Sequence, residues 1–219
     1  MEVKILTPQQ IAVLKKISGN KYLSRYFYLS GGTALSGFYL GHRYSEDLDF
    51  FSETEVDLPA INVFMRRLKK ELKIHKVDLQ QSNNRNLFFL HFGKEILKTE
   101  FTYFPFPRIN KSKKMFGLAI DSLLDIAVNK FFSIYQRTIA RDYIDLYCIC
   151  QKENFDMHKL FRLTRAKFDY HIDPLQLGTQ FAKAKEVKDY PRMIAKISNP
   201  AWQNFFLQEA KKLKSKILA

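Results

Sequence analysis

Tyr26-Phe27-Tyr28-Leu29-Ser30 followed by Gly31-Gly32-Thr33, and Ser45-Glu46-Asp47-Leu48-Asp49 followed by Phe50-Phe51-Ser52, are the two stretches that decide how this chain is read. The first is aromatic and apolar enough for a buried strand, and it runs directly into a glycine pair. Thr33 can cap a short helix over Ala34–Leu40, which Gly41 ends. In the second stretch, Leu48–Ser52 reads as another strand. Asp47 and Asp49 then share one face, while Leu48 and Phe50 turn to the other. Two carboxylates side by side repel unless a cation lies between them, and oxygen-only ligands favour Mg²⁺ or Mn²⁺ completed by substrate phosphates. Two glycines before a helix start let a bulky anion approach backbone N–H groups. Either pattern alone is most often a plain turn or a solvated strand edge. Together, with a short helix between them, they point to metal and phosphate chemistry. There is no Gly-Lys-Thr/Ser sequence, so a P-loop nucleotidase is not supported.

Working outward, a helix is expected from Thr7 to Ser18, stopped by Gly19-Asn20, and another from Asp57 to about Leu72 with Pro59 in its first turn. Strands are expected over Ile74–Leu79, Asn86–Phe92 and Ile96–Tyr103, with a hairpin turn at Gly93-Lys94-Glu95. Glu100 lies in the last of these among apolar and aromatic neighbours. It either faces solvent on an edge strand or joins Asp47 and Asp49 as a third metal ligand. From Asp121 the pattern becomes helical, with helices near 121–137, 141–152, 157–168, 175–186 and 201–216. The Pro-containing stretch Phe104–Lys114 reads as a linker, giving an α/β core over 1–107 and a basic helical domain over 108–219. The fold class is α+β: a small mixed sheet with flanking helices, followed by a C-terminal helical bundle.

A second group of charged residues lies in Asp125–Tyr147. On one continuous helix Lys130, Arg137, Arg141 and Asp145 would form a single stripe. A solvated face with Arg141–Asp145 pairing is the ordinary reading. Lys130 among Ala127, Val128, Phe131 and Phe132 is also placed to reach a phosphate from a sheltered face. Cys148 and Cys150, the two cysteines, read as buried structural thiols. The five histidines show no metal spacing; His42 beside the acidic motif could touch substrate or make a structural hydrogen bond.

The chain has 219 residues, with 36 Lys and Arg against 22 Asp and Glu, a net charge of +14. Residues 1–107 contribute +4 and residues 108–219 contribute +10. Such an excess points to a polyanionic partner. The Lys111–Lys114 cluster and the run Lys211, Lys212, Lys214 and Lys216 beyond Trp202, Phe205 and Phe206 could follow a nucleic-acid backbone or simply be solvated. Two cysteines exclude a disulfide-stapled secreted fold, and no apolar run is long enough to span a membrane. The first ten residues lack a signal-peptide pattern, so a cytoplasmic protein is expected.

Phe27–Leu35 and Gly41–Phe51, followed by Leu124-Asp125-Ile126-Ala127-Val128-Asn129-Lys130 and Arg141-Asp142-Tyr143-Ile144-Asp145-Leu146-Tyr147, resemble in order and spacing the nucleotidyltransferase superfamily. Within it they are most similar to the AbiEii/AbiGii toxin family. The likeness covers roughly residues 25–150. Arg141-Asp142 stands where that family usually shows Lys-Asp. The resemblance implies that Asp47 and Asp49 hold catalytic metal, with Glu100 the best match for a third carboxylate. It implies that Gly31, Gly32, Thr33, Ser45, Lys130 and Arg141 seat the nucleotide, and that Lys130 and Asp145 complete the catalytic set. Ser45 is also where relatives with kinase-type antitoxins are silenced by phosphorylation. The implied function is Mg²⁺-dependent transfer of a nucleoside monophosphate from an NTP to an acceptor hydroxyl, with the tRNA 3′ end as acceptor and a cognate antitoxin as partner. The alternatives are a small-molecule or protein nucleotidyltransferase, or a silent nucleotide- or RNA-binding protein.

Overall fold

In the computed structural model, which describes residues 5–217 and side chains through Leu213, the chain forms two compact units. The sheet unit comprises the chain up to Tyr39 together with Ser45–Ser122; the helical unit comprises Leu40–Tyr44 and the chain from Leu123 onward.

The sheet unit begins with α1 (Pro8–Ser18), whose start is fixed by a capping box between Thr7 and Gln10. A six-residue helix, α2 (Lys21–Tyr26), follows at once. Asn20, expected to be part of a stop signal, caps α2 instead by accepting from the Leu23 amide. Then come β1 (Tyr28–Ser30), α3 (Gly31–Leu35) continued by one π-helical turn through Leu40, and β2 (Leu48–Ser52). The α4 helix (Leu58–Glu71) buries Ile61, Phe64, Met65 and Leu68, the i, i+3, i+4, i+7 stripe of an amphipathic helix. Strands β3 (Lys76–Ser82), β4 (Arg85–Phe92) and β5 (Glu95–Tyr103) form two hairpins. Their two-residue turns carry positive φ at Asn83 and at Gly93.

A third hairpin, β6 (Lys113–Met115) and β7 (Leu118–Ile120), occupies a stretch in which the sequence suggests a linker and then helices. Phe116 and Gly117 make its turn, both at positive φ, and Leu118 and Ile120 are buried beside β1. Residues 108–122 therefore pack with the sheet. The sheet has seven strands in the order β3-β4-β5-β2-β1-β7-β6, parallel at β5–β2 and β1–β7 and antiparallel elsewhere. Its apolar face is dominated by Phe rings: Phe101 stacks on Phe50 and meets Phe27 and Phe88 edge-on.

The helical unit contains α5 (Leu123–Gln136), α6 (Ala140–Glu153), α7 (Met157–Phe168), α8 (Pro174–Ala182) and α9 (Asn199–Ile217). Asp156 and Asp173 cap α7 and α8. Trp202, Phe206, Phe181 and Tyr143 form its aromatic centre. The helices expected near 121–137 and 141–152 are α5 and α6, and Ile139 between them is extended, at φ −135° and ψ 125°, so the charged residues of Asp125–Tyr147 do not lie on one continuous helix. The chain is thus an α+β protein, a mixed sheet with flanking helices followed by a bundle of helices.

Candidate active site

The sheet register assembles the first constellation. Antiparallel pairing sets Ser30 opposite Asp49, and parallel pairing sets Asp49 beside Glu100. Leu48 and Phe50 are fully buried on the apolar face, so Asp49 lies on the opposite one and Asp47, one residue before β2, continues the alternation. The glycine at 31 is required twice over. Its φ of +70° is costly for other residues, and a Cβ there would lie 2.6 Å from Asp49 Oδ2. The space a side chain would fill holds the carboxylate. Thr33, fully buried, donates its hydroxyl to the Asp47 carbonyl and ties the helix start to the acidic segment. Gln10 donates to the carbonyls of Ser45 (2.8 Å) and Glu46 (3.2 Å), fixing the approach to Asp47 from α1.

Glu100 is not on an edge. β5 lies between β4 and β2, and Glu100 is 4% exposed. Arg85 on β4 grips it through two bonds of 2.7 and 2.6 Å, and Thr102 donates to it at 2.6 Å. Burial pushes its pKa up, but the hydrogen bonds from Arg85 and Thr102 outweigh burial and hold it below the ordinary carboxylate value. Lys98, also on β5, pairs with Asp47 Oδ2 at 2.5 Å. Among the described residues no three His, Cys, Asp or Glu side chains converge on one metal position. Asp47 and Asp49 nonetheless form an all-oxygen donor set suited to a hard dication, and Asp49 is seated by the absent side chain at Gly31. Both are partly exposed.

The second constellation belongs to the helical unit. Lys130 on α5 bonds Asp142 at 2.6 Å and Asp145 at 2.7 Å, both on α6. Asp145 is fully buried and also accepts from Arg43 through two bonds, 2.7 and 2.8 Å, and meets His42 Nε2 at 2.8 Å. Burial alone would raise its pKa; Lys130 and Arg43 drive it well below the ordinary range. Asp142 is shifted downward in the same way, with burial opposed by Lys130 and Arg137. These groups meet across the α5–α6 turn, not along a single stripe. Arg141 is exposed on α6, and Arg137 reaches Asp142 at 3.0 Å. The segment around His42 is itself held in this unit. The His42 carbonyl accepts from the Ile194 and Ala195 amides, and Tyr44 N–H donates to Arg192. Arg43, Asp142 and the distant His42 are the members sequence reasoning left out of this cluster or out of Asp145's reach. His42 has the structural hydrogen bond that was one of its two readings.

Cys148 and Cys150 are free thiols pushed up to about 12, chiefly by burial. The side chains of Lys214 and Lys216 lie outside the described residues, while Lys211 and Lys212 are exposed on α9. No described helix is long and apolar enough to cross a membrane.

Comparison with known proteins shows the family and the fold. Residues 19–212 match the family model described as nucleotidyl transferase AbiEii toxin, type IV toxin–antitoxin system. An uncharacterised protein of Aquifex aeolicus is 32% identical over 144 residues, which is 65% of this chain and 66% of that protein's length. Two solved structures share the fold. JHP933 from Helicobacter pylori has a TM-score of 0.61 at 18% identity, covering 96% of this chain and 94% of its own. An H. pylori protein provisionally assigned as a nucleotidyltransferase has a TM-score of 0.62 at 20% identity, covering 96% and 97%.

Proposed function

Because the chain belongs to the AbiEii family of nucleotidyltransferase toxins from type IV toxin–antitoxin systems, we propose that it transfers the nucleoside monophosphate of an NTP to an acceptor hydroxyl, with the tRNA 3′ end as acceptor. The acceptor oxygen attacks the α-phosphorus, the bond to the bridging oxygen breaks, and pyrophosphate leaves. The observation that carries this reading is the pair Asp47 and Asp49 on one sheet face, with Gly31 opened to seat Asp49. Asp47 and Asp49 would hold Mg²⁺ or Mn²⁺, with Glu100 beside Asp49 in register. The cation would supply charge neutralisation at the phosphates and a more reactive acceptor oxygen. Such a reaction is governed by positioning and electrostatics, which a rigid sheet face provides.

Gly31, Gly32, Thr33 and Ser45 are the nucleotide contacts of this reading, and Lys130, Arg141 and Asp145 complete its set by family resemblance. Asp145, with both oxygens engaged, acts by holding Lys130 and Arg43 in place. The net charge of +14 suits an RNA acceptor, and the family supplies the expectation of a cognate antitoxin in the cytoplasm. The test is transfer of α-labelled NTP onto total RNA. Label on tRNA that depends on Mg²⁺ supports the reading; label only on protein or on a small molecule replaces the acceptor.

A further inference from the structure

Glu100 and Asp47 each carry a cation, and the two pairs are built differently. Glu100 is inside the sheet and held by a two-pronged guanidinium and a hydroxyl. Asp47 is paired with the single ammonium of Lys98, and the two side chains are 30% and 25% exposed. The parallel register pairs Leu48 with Thr99 and Asp49 with Glu100, so one step back brings Lys98 alongside Asp47. Alternation then sets Asp47, Asp49, Lys98 and Glu100 on one face, joined by Arg85 from β4. These five side chains comprise three carboxylates and two cations.

We propose that Lys98 competes with the divalent cation for Asp47 and passes to the nucleotide's phosphates when the cation binds. This rests on the nucleotidyltransferase reading above. An ammonium and a dication cannot share one carboxylate oxygen without strong repulsion, so cation entry releases Lys98. Its four-carbon stem lets the ammonium move while β5 stays fixed, a freedom the two-pronged Arg85–Glu100 pair lacks. With a dication in place this group gains two positive charges, and a mobile ammonium is left beside it. A triphosphate is the anion that satisfies both. Cation and nucleotide therefore bind cooperatively, each tightening the other by the same factor.

The experiment is a Mn²⁺ titration of the full chain, read by the spin-resonance signal of free Mn²⁺, with and without a non-hydrolysable NTP analogue. Lys98→Met is expected to bind Mn²⁺ about fivefold more tightly than wild type without nucleotide, the scale of losing a partly exposed pair. In wild type the analogue tightens Mn²⁺ binding; in Lys98→Met most of that coupling is lost. Lys98→Arg, which keeps the charge, is expected to bind Mn²⁺ within twofold of wild type, roughly the scatter of such surface pairs. Unchanged or weaker Mn²⁺ binding by folded Lys98→Met would overturn the proposal. Asp47→Asn separates the two layers. If it binds Mn²⁺ as wild type does, the metal assignment itself fails; if it loses Mn²⁺ while Lys98→Met shows no gain, only the role of Lys98 fails.

Discussion

In the sheet unit Asp47 and its partner Lys98 are 30% and 25% exposed; in the helical unit Asp145 and Lys130 are 0% and 10% exposed. The same residue types are put to opposite uses. Asp145 has four bonds from Arg43, His42 and Lys130, and a second buried pair, Lys167 with Asp125, lies in the same unit. Charges so deeply buried persist only when paired, and losing one member strands the others. Asp47 and Asp49 remain near water, where substituting them costs the fold little and a ligand can reach them. A helical unit stiffened by internal ion pairs and a sheet face holding accessible carboxylates are what the difference shows.

The largest expected effect breaks the buried side of this contrast. Asp145→Ala should destabilise the helical unit by about 3–5 kcal/mol. Urea unfolding followed by the fluorescence of Trp202, the chain's one tryptophan and fully buried in that unit, reads it directly. Acid should act on the same cluster. Asp145 and Asp142 are depressed in the folded state, so their stabilisation is present above the unfolded aspartate value of about 3.9 and is lost as pH falls toward the lower folded values. Trp202 emission should therefore change below about pH 4 and stay level from there to neutrality.

A smaller effect is expected at Gly31→Ala, where a positive φ and the 2.6 Å approach to Asp49 combine. A loss of about 1–3 kcal/mol in thermal or chemical unfolding is predicted, accompanied by loss of transfer activity. The smallest effect is on the accessible carboxylates. Asp47→Asn should shift Tm by less than about 4 °C, since an exposed pair is worth at most about 1 kcal/mol. A Tm drop as large as that of Asp145→Ala would erase the distinction between the two regions. The thiols of Cys148 and Cys150, pushed up to about 12 by burial, should resist alkylation in the native protein and react once it unfolds.

Much of the sheet was legible in the sequence because its strands announce themselves twice, by composition and by punctuation. β2 matches Leu48–Ser52 residue for residue, and Gly93 turns β4 into β5 as expected. The β6–β7 hairpin was hidden because Lys113-Lys114 is polar and each strand is three residues long, with Gly117 as the main clue. The break between α5 and α6 falls within a residue or so of where the sequence places it, although it contains no Gly or Pro, but the single-stripe arithmetic for Lys130, Arg137, Arg141 and Asp145 does not survive it. At the site, Asp47, Asp49 and Gly31 were readable from local spacing. That Glu100 lies beside Asp49 depended on strand register, and that Asp145 takes Arg43 depended on a partner 102 positions away, for which no local pattern exists.

The central claim is that Asp47 and Asp49 serve catalysis and leave the fold unchanged when altered. Transfer of α-labelled NTP to RNA, measured with Mg²⁺ for wild type and Asp49→Asn alongside their unfolding curves, tests it most directly. Asp49→Asn is expected to lose transfer by at least about 10²–10³-fold, the scale of removing one electrostatic element of a transition state, while its Tm stays close to wild type. Transfer by Asp49→Asn at the wild-type rate would contradict it.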